Sequence, residues 1–166
     1  MLELKTGRLL LRDLLLADFE AIHALRSDPD VTRYMDYIKS DTEEETRDWL
    51  AGTMRHNALS PRQSYNLAVV RQSDGEILGW VGIGEAEDGR GSELDFGYAL
   101  LPEHWGQGYA TEALKAVIDF AFEHLGIHTI YGECHVENVA SARVMEKAGL
   151  SRLRRDGEDL LFVIQK

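Results

Sequence analysis

The stretch Leu100-Leu-Pro-Glu-His-Trp-Gly-Gln-Gly-Tyr-Ala-Thr-Glu-Ala113 carries the end of an apolar strand into a double-glycine turn and then into a helix. Ala110, Ala113, Leu114, Val117, Ile118, Ala121, Phe122 and Leu125 follow at the i, i+3, i+4, i+7 spacing of a helix buried along one face. Gly106 and Gly108 stand where the backbone must take a positive φ or come close to something. A helix N-terminus carries unpaired N–H groups and roughly half a positive charge, so the turn is suited to an anion, with phosphate or pyrophosphate the natural ligand. The same residues also fit a tight strand-to-helix turn with no ligand. No Gly-Lys-Ser/Thr follows, which excludes a Walker loop. Thr111 stands where a dinucleotide fingerprint has its third glycine, and no acidic residue closes a following strand at the right distance.

A second motif, Asn138-Val-Ala-Ser141-Ala-Arg143-Val-Met-Glu146-Lys147-Ala-Gly149-Leu150, follows the strand-like run Thr129–Val136. Asn138 or its neighbour can cap a short helix, and Gly149 stands where a helix ends in a left-handed residue. The chain opens on Leu4-Lys-Thr-Gly-Arg8-Leu-Leu-Leu-Arg12, then Asp18, then Asp28-Pro-Asp-Val-Thr-Arg-Tyr34. Together these motifs resemble the GNAT superfamily of N-acetyltransferases, and more closely its ribosomal-protein Nα-acetyltransferase-like (RimJ/RimL-like) branch. The resemblance runs from Leu4 to Leu150. It implies a single α/β domain over residues 1–166, with a mixed, mostly antiparallel sheet of about six or seven strands flanked by about four helices. The sheet is expected to splay between its fourth and fifth strands.

Composition fits one domain. The 166 residues are 44% hydrophobic and 28% charged, ordinary for a globular protein. No apolar run approaches the roughly 20 residues of a membrane span, and no basic-then-apolar leader is visible, so a cytoplasmic protein is expected. The formal charge of −11 makes nucleic acid a poor partner and suits a basic acceptor, although solubility alone accounts for such a balance. Cys134 is the only cysteine, which excludes an internal disulfide; its place in mid-strand reads as a small buried residue. The six His show no ligand spacing, so no metal is implied.

Strands are predicted at Arg8–Leu14, Tyr65–Arg71, Ile77–Gly84, Glu93–Leu100, Thr129–Val136, Ser151–Arg155 and Glu158–Gln165. A polar loop over Glu85–Ser92 and a hairpin turn at Asp156-Gly157 separate pairs of them. Helices are predicted at Asp18–Ser27, at Thr42–Met54 behind a Ser40-x-x-Glu43 capping box, at Ala110–Leu125 and at Ser141–Lys147. Phe19, Ile22, and Leu25 or the Arg26 stem turn inward from the first helix, Trp49 and Leu50 from the second. Leu15 holds the usual polar cap position of the first helix, a departure expected to cost about 1 kcal/mol. Thr129–Val136 must run parallel to Glu93–Leu100 because a helix joins them. The closing hairpin is shorter than is usual for the branch.

Acetyl transfer from a thioester to an amine needs the donor held, the amine deprotonated, the oxyanion stabilised and the thiolate supported. The resemblance places coenzyme A on the turn of Trp105, Gly106, Gln107, Gly108, Tyr109, Ala110 and Thr111. Trp105 stands where the superfamily pattern has Gln or Arg, as often in this branch; the departure removes a side-chain contact and spares the backbone cradle. The pantetheine arm would pair with backbone groups of Leu100 and Leu101, and an N–H near Tyr98–Leu100 would face the oxyanion. Asn138 and Ser141 lie beyond the parallel strand, where the Ser141 hydroxyl can hydrogen-bond the leaving sulfur or simply cap its helix. Arg143 can reach a coenzyme phosphate or pair with an acid. For the base, Asp95 matches an acidic position of the superfamily's fourth strand; Glu93 shares its face, Glu85 ends the neighbouring strand, and His135 and His104 are weaker choices. The expected activity is acetyl-CoA-dependent transfer to a protein N-terminal amine or a small amine, by direct transfer in a ternary complex. A non-catalytic acyl-CoA-binding module and a thioester enzyme acting through Cys134 are the alternatives. Monomer and homodimer both stay open.

Overall fold

The computed structural model describes residues 1–85 and 94–166; Glu93, the loop residues before it and the Glu85 side chain lie outside what is described. Eight strands form one sheet: β1 Glu3–Lys5, β2 Leu9–Asp13, β3 Ser64–Arg71, β4 Ile77–Glu85, β5 Leu94–Leu100, β6 Thr129–His135, β7 Ser151–Asp156 and β8 Asp159–Gln165. Their order is β1-β2-β3-β4-β5-β6-β8-β7, antiparallel throughout except for β5 beside β6. The helices are α1 Phe19–Ser27, α2 Pro29–Thr32, α3 Glu43–Asn57, α4 Tyr109–His124 and α5 Val139–Lys147. β1 and α2 are too short to leave a periodic signal, so the sheet has one strand and the molecule one helix more than the sequence suggests.

The two sheet faces bury separate cores. On one, α4 sends Ala113, Leu114, Val117, Ile118 and Ala121 against Leu9, Leu11, Leu67, Val81, Leu94 and Leu100, and α5 adds Ala142 and Met145. On the other, Phe19, Ile22 and Leu25 of α1 and Leu50 of α3 pack on Ala68, Val70, Trp80 and Ala99. The helical period of α4 and the twofold period of β5 thus meet on the first face.

Several helix starts differ from expectation. The capping box of α3 is Thr42-x-x-Glu45: Thr42 Oγ1 accepts the Glu45 N–H at 3.2 Å and Glu45 Oε2 accepts the Thr42 N–H at 2.9 Å. Ser40 is buried instead, and its Oγ accepts from Arg26 Nε at 2.8 Å. Leu15 offers no side-chain cap, but Asp18 accepts the Leu15 N–H at 2.8 Å while holding both terminal nitrogens of Arg12, at 2.8 and 2.7 Å. That reciprocal bond recovers part of the expected loss. α5 begins two residues before the predicted start, because Asn138 Oδ1 accepts the Ser141 N–H at 3.1 Å and so caps it.

Candidate active site at the strand splay

The turn before α4 leaves a run of backbone amides without acceptors among the described residues. Gly106 and Gly108 take φ of 72° and 82°, and the first α4 amide with a helical acceptor is that of Glu112, bonded to Gly108 O at 3.1 Å. Among the described residues nothing accepts from the amides of residues 106 to 111, which are the orphan donors expected where a helix begins. A Cβ on Gly106 would meet nothing within 4 Å, whereas one on Gly108 would meet the Arg8 guanidinium at 3.3 Å. Gln107 is held by its side-chain Nε2, which donates to Glu103 O at 3.0 Å, and by its backbone carbonyl, which accepts from Arg8 Nη1 at 2.9 Å. Arg8 also stacks on Tyr109, 4.4 Å from the ring centre. Tyr109 is buried and Ala110 and Thr111 half-buried, so they present backbone to the cradle. Trp105 is no core aromatic: 48% of it is exposed, and its Nε1 donates to Leu100 O at 2.7 Å. Free amides and open space are compatible with the diphosphate of coenzyme A, the ligand that the resemblance puts on this turn.

Beside the cradle the sheet opens. Among the described residues β5 and β6 register only at Leu94 and Ile130, then part. The Leu101 N–H bonds Leu78 O at 2.9 Å, so odd-numbered β5 residues turn their backbone groups to β4 and even-numbered ones to β6. Leu101 therefore faces away from the gap, contrary to the pairing expected of it. Leu100 keeps its N–H in the gap but has its carbonyl taken by Trp105, and the Phe96 N–H is taken by Asp95 Oδ1 at 2.7 Å. The amides of Tyr98 and Leu100 and the carbonyls of Phe96 and Tyr98 remain along an edge unpaired among the described residues. Phe96 props the gap: a Cβ on Gly132 of β6 would lie 2.3 Å from its ring.

The proposed catalytic side chains lie on opposite faces of the sheet, and the gap joins them. On the α5 face, the Tyr98 hydroxyl lies 2.8 Å from Ser141 Oγ and 3.2 Å from Ser141 O. Ser141 does not cap its helix; Asn138 does, which commits the Asn138 side chain to structure. Burial pushes the Tyr98 hydroxyl well above the usual range, and Ser141 only partly offsets this. Cys134 is buried nearby, and burial raises its thiol against a hydrogen bond from Ser141. Arg143 is exposed on α5 and pairs with no carboxylate among the described residues.

On the α1 face, Asp95 is exposed, and the Tyr37 hydroxyl points at β5, 3.7 Å from a Cβ on Gly97. Although the Tyr37 ring is 71% exposed, burial at the hydroxyl and the charges of Asp95, Glu133 and Asp36 push it up to about 12. Tyr34 stacks on His135 with ring centres 5.2 Å apart, and His135 Nδ1 accepts the Glu137 N–H at 3.1 Å. His104 is buried, with its Nε2 3.3 Å from Glu76 Oε1, and belongs to the wall of the cradle loop. The side chains of Tyr98, Arg8 and Glu112 had no role in the sequence reading, which used only a backbone N–H near Tyr98. Leu94, Phe96, Tyr98 and Leu100 alternate along β5 and share the face that meets α4 and α5, and Glu112 is the acid of the first α4 turn, so both left a signal.

The chain matches the family model of the acetyltransferase (GNAT) domain over residues 8–151. It is 30% identical over 156 residues to an uncharacterized N-acetyltransferase, p20, of Bacillus licheniformis, covering 90% of this chain and 85% of that protein. A solved GNAT-family acetyltransferase from Bacillus anthracis superposes with a TM-score of 0.84 at 27% identity, covering 99% of this chain and 98% of that one. RimL, a ribosomal-protein alpha-N acetyltransferase solved in complex with coenzyme A, shares the fold with a TM-score of 0.81 at 19% identity, covering 99% and 98%. This chain belongs to the GNAT acetyltransferase family and is an N-acetyltransferase.

Proposed function

We propose that the chain transfers an acetyl group from acetyl-CoA directly to a primary amine, a protein N-terminal amine or a small-molecule amine, within a ternary complex. One observation carries the reading: an unpaired β5 edge begins beside a cradle of free amides and runs through a gap that connects both faces of the sheet. Residues 1–166 serve it as one domain, supported by the single sheet that runs through all eight strands.

Acetyl-CoA supplies an activated acyl group whose leaving group is a thiolate. The amides of residues 106 to 111 hold the diphosphate, and the groups of Phe96, Tyr98 and Leu100 pair with the amide-bearing arm as a further strand would. Arg143 is placed to meet a phosphate. An acceptor arriving on the α1 face is a protonated amine, and Asp95 takes its proton directly or through water. Glu133 and Asp36 add negative charge that favours the cation before it is deprotonated. The amine lone pair then forms the C–N bond, the Tyr98 or Leu100 N–H faces the carbonyl oxygen, the nitrogen gives up its second proton to water, and the C–S bond breaks with its electron pair on sulfur. Ser141 keeps its own proton, being far less acidic than a thiol, and stabilises the sulfur by hydrogen bonding.

The test is thiol release from acetyl-CoA over two panels, short peptides with free N-termini and small amines. Acetylated product in either panel is expected; silence in both contradicts the reading.

A further inference from the structure

The hydroxyl that supports the leaving sulfur is itself held by a second hydroxyl from the other side of the gap. Tyr98 reaches from β5 to the first turn of α5, with its oxygen 2.8 Å from Ser141 Oγ and 3.2 Å from Ser141 O. Ser141 is fixed from behind as well, by the bond from its amide to Asn138 Oδ1 at 3.1 Å. The Tyr98 ring lies parallel to Phe96, 6.2 Å between centres and 13° between planes, and Phe96 is wedged on Gly132. The phenol is thus delivered by a packed column of side chains.

We infer that Tyr98 is a positioning residue for acetyl transfer, donating to Ser141 Oγ so that the serine proton is directed to the sulfur of coenzyme A. The inference rests on the proposed reaction and adds to it. A phenol is a stronger acid than an alkyl hydroxyl, so in the Tyr98–Ser141 pair the phenol donates. Ser141 accepts from the phenol on one lone pair and keeps its own proton, which turns from Cys134 to the coenzyme A sulfur once coenzyme A is bound. A hydroxyl polarised in this way is the better donor to an anion, and the gain is largest when the sulfur carries charge. No proton changes owner in this arrangement: the thiolate leaves with its electron pair and is protonated by solvent.

The test reads the ionisation of the coenzyme A thiol on the enzyme and needs no acceptor. Thiolate absorbance is followed against pH for the coenzyme A complex, with the desulfo-coenzyme A complex as reference. In the wild type the bound thiol should ionise at lower pH than free coenzyme A. Ser141→Ala should leave about tenfold less thiolate at a given pH, Tyr98→Phe about threefold less, and the double variant no less than Ser141→Ala alone. Incorporating 3-fluorotyrosine at position 98 fills the same space with a stronger donor and should lower the ionisation further, so the inference does not depend on one variant folding. Tyr98→Phe titrating with the wild type, or fluorination without effect, overturns the role of Tyr98 alone. An unresponsive Ser141→Ala overturns the sulfur contact itself, and a wild type that binds no coenzyme A overturns the proposed function.

Discussion

Glu112 accepts three hydrogen bonds from one turn of the N-terminal hairpin: Thr6 Oγ1 at 2.6 Å, the Arg8 N–H at 2.8 Å and Arg8 Nε at 2.7 Å. The first turn of α4 is thereby tied to the loop between β1 and β2, and Arg8 continues the tie to Gln107 O. An acid here also answers the positive end of the helix. The cradle is braced from a segment about a hundred residues earlier in the chain.

Burial works against the Glu112 charge, but the bonds from Thr6 and Arg8 together outweigh it and hold the carboxyl below the usual range. A carboxyl lowered by folding stabilises the native state above its unfolded pKa, about 4.3, and loses that contribution as the pH falls through the folded value. Glu112→Gln should cost about 1–3 kcal/mol at neutral pH and flatten the loss of stability in acid. Urea unfolding of both proteins between about pH 7 and 3 checks this, and parallel pH profiles would contradict it.

Gly132 is the point where Phe96 props the splay. A methyl there must displace the ring, so Gly132→Ala should destabilise by about 1–3 kcal/mol and weaken coenzyme A binding at the same time. Thermal melting and calorimetry read the two effects separately; unchanged affinity in a folded variant would mean Phe96 does not shape the gap.

Cys134 stays a neutral thiol because burial raises it, and a neutral thiol is a poor nucleophile. Acetyl-CoA without acceptor should leave no acetyl group on the protein by mass spectrometry. Cys134→Ala should keep most of the turnover, and a trapped acetyl-Cys134 would reverse this.

Asp95→Asn should lower kcat by about a hundredfold and abolish the acid limb of the kcat/KM profile, with coenzyme A affinity retained. A limb that persists would pass the role of base to another acid on the same face.

The turn and its helix were legible because glycine spacing and helical periodicity are local signals: Gly106, Gly108 and the stripe from Ala110 to Ala121 sit within one short stretch. Strand alternation likewise gave the two faces of β5. The Asn138 cap was legible, while the capping box of α3 was legible in kind and misplaced by two residues. Ser40 and Thr42 are chemically equivalent candidates, and only the burial of Arg26 against Ser40 and Trp49 decides between them. Leu101 was misassigned because backbone direction depends on the register with β4, which side chains do not encode. The Tyr98–Ser141 and Arg8–Glu112 pairs join residues 43 and 104 positions apart, and such contacts exist only once the sheet and helices are assembled. Glu93 lies outside the described residues, so its proposed share in the base stays a sequence expectation.

Gly108 offers the most direct test of the whole account, because its φ of 82° and its contact with Arg8 leave no place for a branched side chain. Acetyl-CoA titrated calorimetrically into the wild type should give saturable heat, and into folded Gly108→Val almost none. No heat from the wild type, or undiminished heat from the variant, would show that the amides of residues 106 to 111 do not hold the acyl carrier.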